Sequence, residues 1–477
     1  MFSSRNNNTQ SRFIIKKSKL VNRWDPYYHQ PFFEAIEQKI KANPWTTLRQ
    51  QSNKIISGIT PESGGSAYCE KEQGVPFIRS GDFNEDGSIN WNDIIYIKDE
   101  IHNGIMRRSR LCKGDILFAI VGATIGKVGI YQYDREANIN QAVCAVRLSN
   151  ALRSEYVHAF FLTPTGKELI DRIKRPVARA NINLAEISSL IVPKISDAKQ
   201  RVVAEALTNA FRKKKEIEQE ASSLLESIDT ILLRELGIKL PPEPPNTIKS
   251  RIFQRRISQI TGNRFDPASH WKKLILNSSR YPMKNLPDLV RINPITDFKG
   301  LKPEDKVTFV PMESVGELFG EITEKQTRSV IEAKSYTTFK EGDLIWAKIT
   351  PCMENGKAAI ASNLENGYGY GSTEFHVFRL KNGDMNINFL HAILRLKVLR
   401  SHARLFFTGS SGHQRVDERF FKRLEIPAPP RKIQDKIALE IEDIRTEARG
   451  LFSSAEQELI KSKKKIEKLI FDDRGVK

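Results

Sequence analysis

Two stretches with nearly the same residues decide the fold of this chain: Lys113-Gly-Asp-Ile-Leu-Phe-Ala119 and Glu341-Gly-Asp-Leu-Ile-Trp-Ala347. Each places a Gly-Asp turn before a short apolar run, the pattern of a buried β-strand that follows a tight turn. Their glycines, Gly114 and Gly342, are 228 residues apart, close to half of the 477-residue chain. The spacing predicts that the chain consists of two similar halves.

Further matches keep the same order along the chain and extend the repeat through both halves. One short match would arise by chance, whereas an ordered series is typical of a tandem duplication. The offsets are 230, 232 and 234 residues for the pairs Gly126-Lys127 and Gly356-Lys357, Arg147-Leu148 and Arg379-Leu380, and Pro193 to Gln200 and Pro427 to Gln434.

Each copy starts with short apolar runs between turn residues and ends in a long apolar heptad pattern. The runs predict β-strands and a mixed or mostly β domain. The heptads predict one long helix per copy, and we expect the two to pair; two separate dimerisation helices are the alternative. In the first copy the seam is Val203, Leu207, Ala210, Ile217, Ala221, Leu224, Ile228 and Ile231, and in the second it begins Ile437, Ile441 and Ile444, at a constant offset of 234.

Lys214 occupies a seam position of the first helix, where the pattern calls for an apolar residue. A lysine there should extend its stem toward solvent or fix the register at some cost in stability. We therefore expect Lys214→Leu to be neutral or stabilising.

The predicted order is a β-rich domain over 1–196, a helix over 197–237, a linker over 238–250, a second β-rich domain over 251–428 and a helix over 429–472. The fold class is α+β, with two mixed or mostly β domains separated by two long antiparallel coiled-coil helices. A duplication of this kind implies an approximate two-fold axis between the copies.

Composition narrows the class of protein. A net charge of +19 indicates a polyanionic partner, either nucleic acid or an anionic membrane surface. No apolar stretch is long enough to span a membrane, and the start lacks an apolar leader segment, so we expect a cytoplasmic protein. Four cysteines without a CxxC pair argue against a zinc ribbon or a disulfide scaffold.

The chain carries no complete catalytic motif. Gly122-Ala-Thr-Ile-Gly-Lys127 has one residue too few between its glycines for a phosphate loop, and Val128 follows the lysine where Ser or Thr is needed. Asp288 with Glu304 and Lys306 fits a nuclease pattern only formally, because a loop-like stretch separates the residues. The Asn/Asp-Pro-Pro-Tyr/Phe motif of amino-methyltransferases is missing. We expect no catalytic residues, no metal site and no cofactor in this chain.

Basic residues mixed with amides in the turn-rich regions predict DNA contacts. The first copy has Arg107, Arg108 and Arg110, and the second has Arg395, Lys397, Arg400 and Arg404 before Gln414-Arg415. Such mixtures suit phosphate contacts together with hydrogen bonds to base edges. Solubility alone is the simpler explanation of this charge.

The chain resembles the specificity (S) subunit of Type I restriction–modification systems. The similarity lies in the Gly-Asp strand followed by Gly-Lys in each copy, in Asn138-Ile-Asn-Gln-Ala142, and in the proline-containing strand exit before Gln200 and Gln434. Copy two has Gly371-Ser-Thr-Glu374 in place of the Asn-Gln segment.

The resemblance implies a non-catalytic subunit of a DNA methyltransferase and endonuclease complex. Each β-rich target recognition domain would read one half of a bipartite double-stranded DNA site, and the helices would set the spacing. Two methyltransferase subunits would dock on the helices and motor-nuclease subunits would join them, with S-adenosylmethionine, ATP and Mg²⁺ bound by those partners. The implied DNA contacts are Arg79, Thr124, Lys127, Asn138, Asn140, Gln141, Lys348, Lys357, Thr373, Gln414 and Arg415, and the implied docking residues are Gln200, Lys214 and Gln434.

Two other functions fit the same residues. A duplicated coiled-coil adaptor would carry the basic charge without binding specific DNA. An S-like subunit of a related modification enzyme would bind DNA without a motor subunit.

Overall fold

The computed structural model describes residues 13–15, 20, 23–62, 65–149, 151–175, 181–240, 247–254, 256, 276–409 and 414–472. The chain divides into two compact units: unit 1 comprises Met1–Ile217 and Ser453–Lys477, and unit 2 comprises Glu218–Phe452. Much of the predicted linker, at 241–246, lies outside the described residues.

Unit 1 combines short strands with helices and receives the first half of a long helix. In chain order it contains α1 Pro31–Lys41, β1 Trp45–Thr47, α2 Leu48–Gln51, β2 Ser52–Ser57, β3 Tyr68–Cys69, β4 Val75–Ile78, β5 Ile95–Ile97, α3 Asp99–Asn103, β6 Asp115–Ala119, β7 Val128–Tyr131, β8 Asn138–Ile139, β9 Val143–Leu148, α4 Ser154–Leu162, α5 Pro164–Ile173, α6 Leu184–Ser189, β10 Ile191–Pro193 and the start of α7, Asp197–Glu235.

Unit 2 also combines short strands with helices. It contains the end of α7, then α8 Ile248–Arg251, β11 Met283–Asn285, α9 Leu286–Leu289, β12 Val290–Ile292, β13 Lys306–Val310, β14 Gln326–Ser329, β15 Thr337–Lys340, β16 Leu344–Ala347, β17 Ala358–Ile360, β18 Tyr368–Gly371, β19 Phe375–Leu380, α10 Ile387–Arg395, α11 Lys397–Ala403, β20 Phe407–Thr408, β21 Arg415–Val416, α12 Glu418–Phe421, β22 Glu425–Pro427 and the start of α13, Arg431–Phe471.

The two units share the strand order of one sheet and three strands of a second, which agrees with the tandem repeat in the sequence. In unit 1 one sheet has the order β2-β9-β6-β7, and a second, β3-β5-β4-β8, contains the parallel pair β4 and β8. In unit 2 the first sheet has the corresponding order β12-β19-β16-β17, and the second is β14-β13-β18-β15, with β13 parallel to β18. The second sheets share β5-β4-β8 and β14-β13-β18, whereas their fourth strands, β3 and β15, lie at opposite edges. The pairs β1-β10 and β11-β22 also correspond.

Strand β6 is apolar throughout because both of its faces are buried. Ile116 and Phe118 pack in a core with α4, whereas Leu117 and Ala119 pack in a second core with residues of β4 and β8. A strand buried on both faces shows a continuous apolar run instead of an alternating one. This explains why the Gly-Asp stretches stand out in the sequence.

The Gly-Asp motif forms a turn that ends in a buried ion pair. Gly114 has φ +89°, a conformation that favours glycine. Asp115 accepts a hydrogen bond from the Cys112 amide at 2.8 Å and pairs with Arg147 of β9, also at 2.8 Å. In unit 2, Asp343 pairs with Arg379 in the same way. The repeated arginine therefore fixes β9 and β19 to their Gly-Asp turns.

Side chains at the start of each long helix fix it to the domain beside it. The Gln200 carboxamide accepts from the Arg153 amide at 2.8 Å, and that of Gln434 accepts from the Asn386 amide at 2.7 Å. Both glutamines are buried. Within unit 1, Lys199 of α7 donates to the Asp472 carbonyl and Lys213 pairs with Glu458, so α7 and the end of α13 lie antiparallel there. No helix among the described residues is long and apolar enough to cross a membrane.

Candidate nucleic-acid interface

The carboxyl ends of the parallel strands β4 and β8 gather polar residues at one edge of unit 1. Arg79 follows β4 and Asn140 follows β8, and the Asn140 amide donates to the Ile78 carbonyl at 3.1 Å. The Ile120 amide donates to the Ala142 carbonyl at 2.8 Å, which brings the turn between β6 and β7 to the same edge. We call this surface the unit 1 edge; its residues are Arg79, Gly122 to Lys127, Asn140 and Gln141.

The predicted contacts at the unit 1 edge differ in how free their side chains are. Gln141 is exposed, and Thr124 is half-buried in the turn. Asn140 accepts from the Ala142 amide at 3.2 Å. Arg79 is held by Asp82, with 2.9 Å between Nη2 and Oδ1, and by the Asp93 carbonyl. Gln141 is therefore the side chain best placed to adapt to a base edge.

Asn138 lies in the interior instead of on the surface. It has no exposed area, and its amide donates to the Met106 carbonyl at 2.8 Å and to Ser109 Oγ at 3.1 Å. Its carbonyl oxygen bonds to His102 Nδ1. A buried polar group needs such partners. Asn138 thus orders the strand that leads to Asn140, and in this conformation it cannot itself contact DNA.

Lys127 and Lys357 occupy matching places, and each bonds to a backbone carbonyl. Lys127 Nζ lies 3.5 Å from the Phe83 oxygen, and Lys357 Nζ donates to the Met312 oxygen at 3.1 Å. Lys127 is exposed and Lys357 is half-buried. Both ammonium groups stabilise the segment after β4 or β13, and that contact competes with any phosphate contact.

Unit 2 presents an edge built in the same way. Strands β13 and β18 are parallel, with Val310 beside Gly371, and Thr373 is exposed just after β18. The Lys348 amide donates to the Glu374 carbonyl at 2.9 Å, and the Thr350 amide donates to the Gln414 carbonyl at 3.0 Å. The unit 2 edge therefore consists of Lys348 to Thr350, Ser372 to Glu374, Gln414 and Arg415.

Arg415 is committed to an ion pair at this edge. Its Nε and Nη2 both contact the Glu374 carboxylate, at 2.8 and 2.7 Å. The carboxylate raises the pKa of Arg415 above its usual value. An arginine in a two-point pair with a carboxylate must exchange that partner before it contacts a base. No pattern in the sequence predicts this pairing.

Part of the basic run of the second copy is not available to DNA. Arg395 donates to the carbonyls of Gly356 and Glu317, and Arg400 donates to those of Arg395 and Glu354. Burial lowers the pKa of Arg395 to about 9, and repulsion from Arg445 and Arg400 adds to this. These arginines cross-link loops inside unit 2.

The residues implied in subunit docking are all held inside the chain. Gln200 and Gln434 start the long helices, as described above. The buried ammonium of Lys214 bonds to Glu85 of unit 1, on the hairpin between Phe83 and Ile89, and to Glu456 of α13 at 2.9 Å. In unit 2, the hairpin from Val315 to Ile322 carries Glu321, which pairs with Arg449 of α13 at 2.7 Å.

No pattern in the sequence distinguishes these hairpin glutamates. Acidic residues in a polar turn look like ordinary solvated charges, and only the fold reveals that each faces a cation on a long helix. The one signal in the sequence is Lys214, a lysine at an apolar seam position that calls for a nearby carboxylate.

Comparison with known proteins assigns the family. The model of the Type I restriction modification DNA specificity domain matches residues 54–227 and 280–448, well over half of the chain. The chain therefore belongs to this family and carries its domain twice in tandem.

Two relatives from Escherichia coli agree with this assignment. The chain is similar to the EcoEI specificity subunit of Escherichia coli, 35% identical over 156 residues, which are 32% of this chain and 25% of the relative. It is also similar to the EcoAI specificity subunit of Escherichia coli, 31% identical over 245 residues, 48% of this chain and 41% of the relative. The aligned parts thus span a quarter and about two fifths of those relatives. A solved S subunit from M. genitalium is 12% identical, covering 91% of this chain and 97% of the other, with a TM-score of 0.37.

Proposed function

We propose that this chain is the DNA-recognition subunit of a Type I restriction–modification complex, in which each unit reads one half of a bipartite site. The observation that carries the proposal is the duplicated edge. Both units place polar side chains at the carboxyl ends of a parallel strand pair. The model of the specificity domain matches residues in both units. The net charge of +19 supports a polyanionic partner.

The proposed division of labour leaves chemistry to other subunits. This chain would bind double-stranded DNA, two methyltransferase subunits would dock along α7 and α13, and motor-nuclease subunits would complete the complex. S-adenosylmethionine, ATP and Mg²⁺ would be bound by those partners. The long helices would form an antiparallel coiled-coil pair with approximate two-fold symmetry and would set the distance between the half-sites.

The two edges predict two kinds of contact that mutagenesis separates. In the complex with the methyltransferase, Lys348→Ala should weaken binding to every duplex alike and reduce the slope of log K against log salt by about one unit, because one phosphate contact is lost. Gln141→Ala should instead relax the preference at one base pair, at a cost of about 1–3 kcal/mol.

Lys284→Ala is the matched control, because Lys284 is exposed on β11 and is not part of the unit 2 edge. It should change neither affinity nor preference. DNA binding by the parent complex that does not depend on salt, or that shows no preference among duplexes, would favour an adaptor without sequence-specific binding. An unchanged preference in Gln141→Ala would show that Gln141 does not read a base.

A further inference from the structure

A cavity of about 190 Å³ lies in unit 1, where α4 and α7 meet the hairpin between Phe83 and Ile89. By comparison, about 10–15 Å³ is enough to hold one water molecule. Its lining includes Asp86 of the hairpin, Glu155 and His158 of α4, and Thr208 and Phe211 of α7. Glu155 and Thr208 are exposed, so the cavity opens to solvent beside α7. It is large enough to admit a side chain from another molecule.

His158 is the unusual residue in the lining of this cavity, because it is a buried histidine with a ring nitrogen that the described residues leave unsatisfied. The side chain is 5% exposed, and its Nε2 is buried without a hydrogen bond of good geometry among the described residues. Burial lowers the pKa of His158 to about 4, although the Asp86 charge and the Val128 carbonyl oppose this. The ring is therefore neutral at physiological pH, and a neutral imidazole keeps one nitrogen as a hydrogen-bond acceptor.

In unit 2, an arginine of the chain itself lies beside the histidine that corresponds to His158. His391 corresponds to His158, since each lies five residues after the amide bonded by Gln200 or Gln434. Arg445 stands at the α13 position that corresponds to Phe211 of α7, and its Nη2 lies 3.5 Å from His391 Nδ1. Arg445 is 7% exposed. A guanidinium from the chain itself thus fills the place beside the histidine.

The charged residues around His158 differ from those around His391: unit 2 has an arginine and its own carboxylate, whereas the described residues that line the cavity of unit 1 offer carboxylates alone. In unit 2, Glu442 accompanies Arg445 at 3.7 Å, where unit 1 has the neutral Thr208. In unit 1, Glu155 and Asp86 line the cavity, and the position of Glu155 is Asn388 in unit 2. Unit 1 therefore has carboxylates around the site, and none of the described residues that line it is an arginine.

Lys463 opposes a cation in this region. Its ammonium lies 5.1 Å from the centre of the Phe211 ring. Burial lowers the pKa of Lys463 to about 8, and repulsion from Lys167 adds to this. Lys463 does not line the cavity, whereas both carboxylates do. The balance at the cavity itself favours a positive group.

We propose that this cavity receives an arginine side chain of the docked methyltransferase subunit, which takes the place that Arg445 fills in unit 2. The proposal rests on the proposed function for the identity of the partner. The mouth of the cavity lies beside α7, the helix assigned to docking. Arginine is also the cation that most often anchors a protein interface. An arginine carried by a docked protein loses less translational and rotational freedom on binding than a free ion does. The same two carboxylates and imidazole should therefore bind it more tightly than they bind a free arginine derivative.

Filling the cavity from inside tests the proposal. The double variant Thr208→Glu with Phe211→Arg recreates the unit 2 arrangement and should raise the dissociation constant for the methyltransferase at least tenfold. Glu155→Gln removes one carboxylate at an exposed position, where misfolding is not expected, and should raise it several-fold. Glu205→Gln is the control, because Glu205 is exposed on α7 and does not line the cavity. Unchanged affinity in both test variants would overturn the proposal.

A small probe separates this proposal from the proposed function. Nα-acetyl-arginine amide, added to the full chain labelled with ¹⁵N-histidine, should shift the His158 signal at millimolar concentration. Its neutral isostere, Nα-acetyl-citrulline amide, should not, and the His391 signal should stay in place because Arg445 already fills that site. Equal shifts with both probes, or none with either, would overturn the cation site. No DNA takes part in this assay, so its outcome does not depend on sequence recognition.

Discussion

Lys214 illustrates how one charge changes its meaning once its partners are known. From the seam pattern, Lys214→Leu was expected to be neutral or stabilising. In the structure the lysine side chain is 10% exposed and bonds to Glu85 and Glu456, which are 54% and 53% exposed. These bonds raise the pKa of Lys214 against the opposing effect of burial. The structure therefore predicts that Lys214→Leu destabilises the protein, where the sequence predicted a neutral or stabilising effect.

We now expect Lys214→Leu to lower the free energy of unfolding by about 1–2 kcal/mol in urea titrations. The loss stays below the 3–5 kcal/mol typical of a broken buried pair, because both glutamates regain water. The control is Lys213→Leu, which removes an exposed pair with Glu458 and should cost less than about 1 kcal/mol. A more stable Lys214→Leu protein would restore the simple seam interpretation.

The lowered pKa of Lys463 predicts that its contribution to the stability of the fold depends on pH. Its pKa is about 8 in the folded chain, against an ordinary value of 10.5, so between these values the unfolded chain binds a proton that the folded chain does not. Its contribution to stability therefore rises with pH across that window.

Lys463→Met should be more stable than the parent by about 1–3 kcal/mol at pH 7.5, and the advantage should shrink toward pH 10.5. Urea unfolding of both proteins at a series of pH values measures it, and other titrations cancel in the difference. Lys464→Met, at an exposed neighbour, should show no such trend. A constant or growing difference would contradict the folded pKa.

At the scale of single residues, the sequence predicted which segments cluster at the candidate edges but not which of their side chains are paired or buried. The turn around Gly122 and Gly126 and the segment near Asn140 were both predicted to contact DNA, and the structure brings them together at one edge. Burial of Asn138 and the pairing of Arg415 with Glu374 depend on neighbours that are distant in sequence. No local pattern encodes such pairs, so a list of polar residues cannot separate the free side chains from the committed ones.

At the scale of elements, the long helices and central strands followed from periodicity. The pattern predicted helices over 197–237 and 429–472, and α7 and α13 span Asp197–Glu235 and Arg431–Phe471. Strands β6 and β16 lie inside the apolar runs that predicted them. These elements are long or buried on both faces, and both properties leave strong signals in a sequence.

The seam itself drifts toward the end of α7. Val203, Leu207 and Ala221 are buried as the heptad predicts, whereas near the end Leu232 and Leu236 are buried and Ile228 and Ile231 only partly so. An α-helix repeats every 3.6 residues, so a strict seven-residue stripe rotates along it. Leu232 and Leu236 also pack into the core of unit 2. A heptad pattern predicts contacts between helices and not contacts of a helix with a domain core.

At the scale of the whole molecule, the duplication is the feature on which the account depends. Each unit has the same strand order in the sheet that contains its Gly-Asp strand, the same Gly-Asp ion pair and the same glutamine at the start of its long helix. Helix α7 starts in unit 1 and ends in unit 2, and α13 starts in unit 2 and ends in unit 1. If each unit reads one block of bases, the helices are the parts of the chain that determine the gap.

The most direct test lengthens both helices at the boundary between the units. One extra heptad is inserted after Ile217 in α7 and another after Phe452 in α13, which leaves the charged contacts within each unit intact. Seven residues add about 10 Å of helix, or about three base pairs at 3.4 Å each. Mapping the methylated bases made by the complex should then give the same two blocks, separated by a gap about three base pairs longer. An unchanged gap, or a change in either block, would contradict the account.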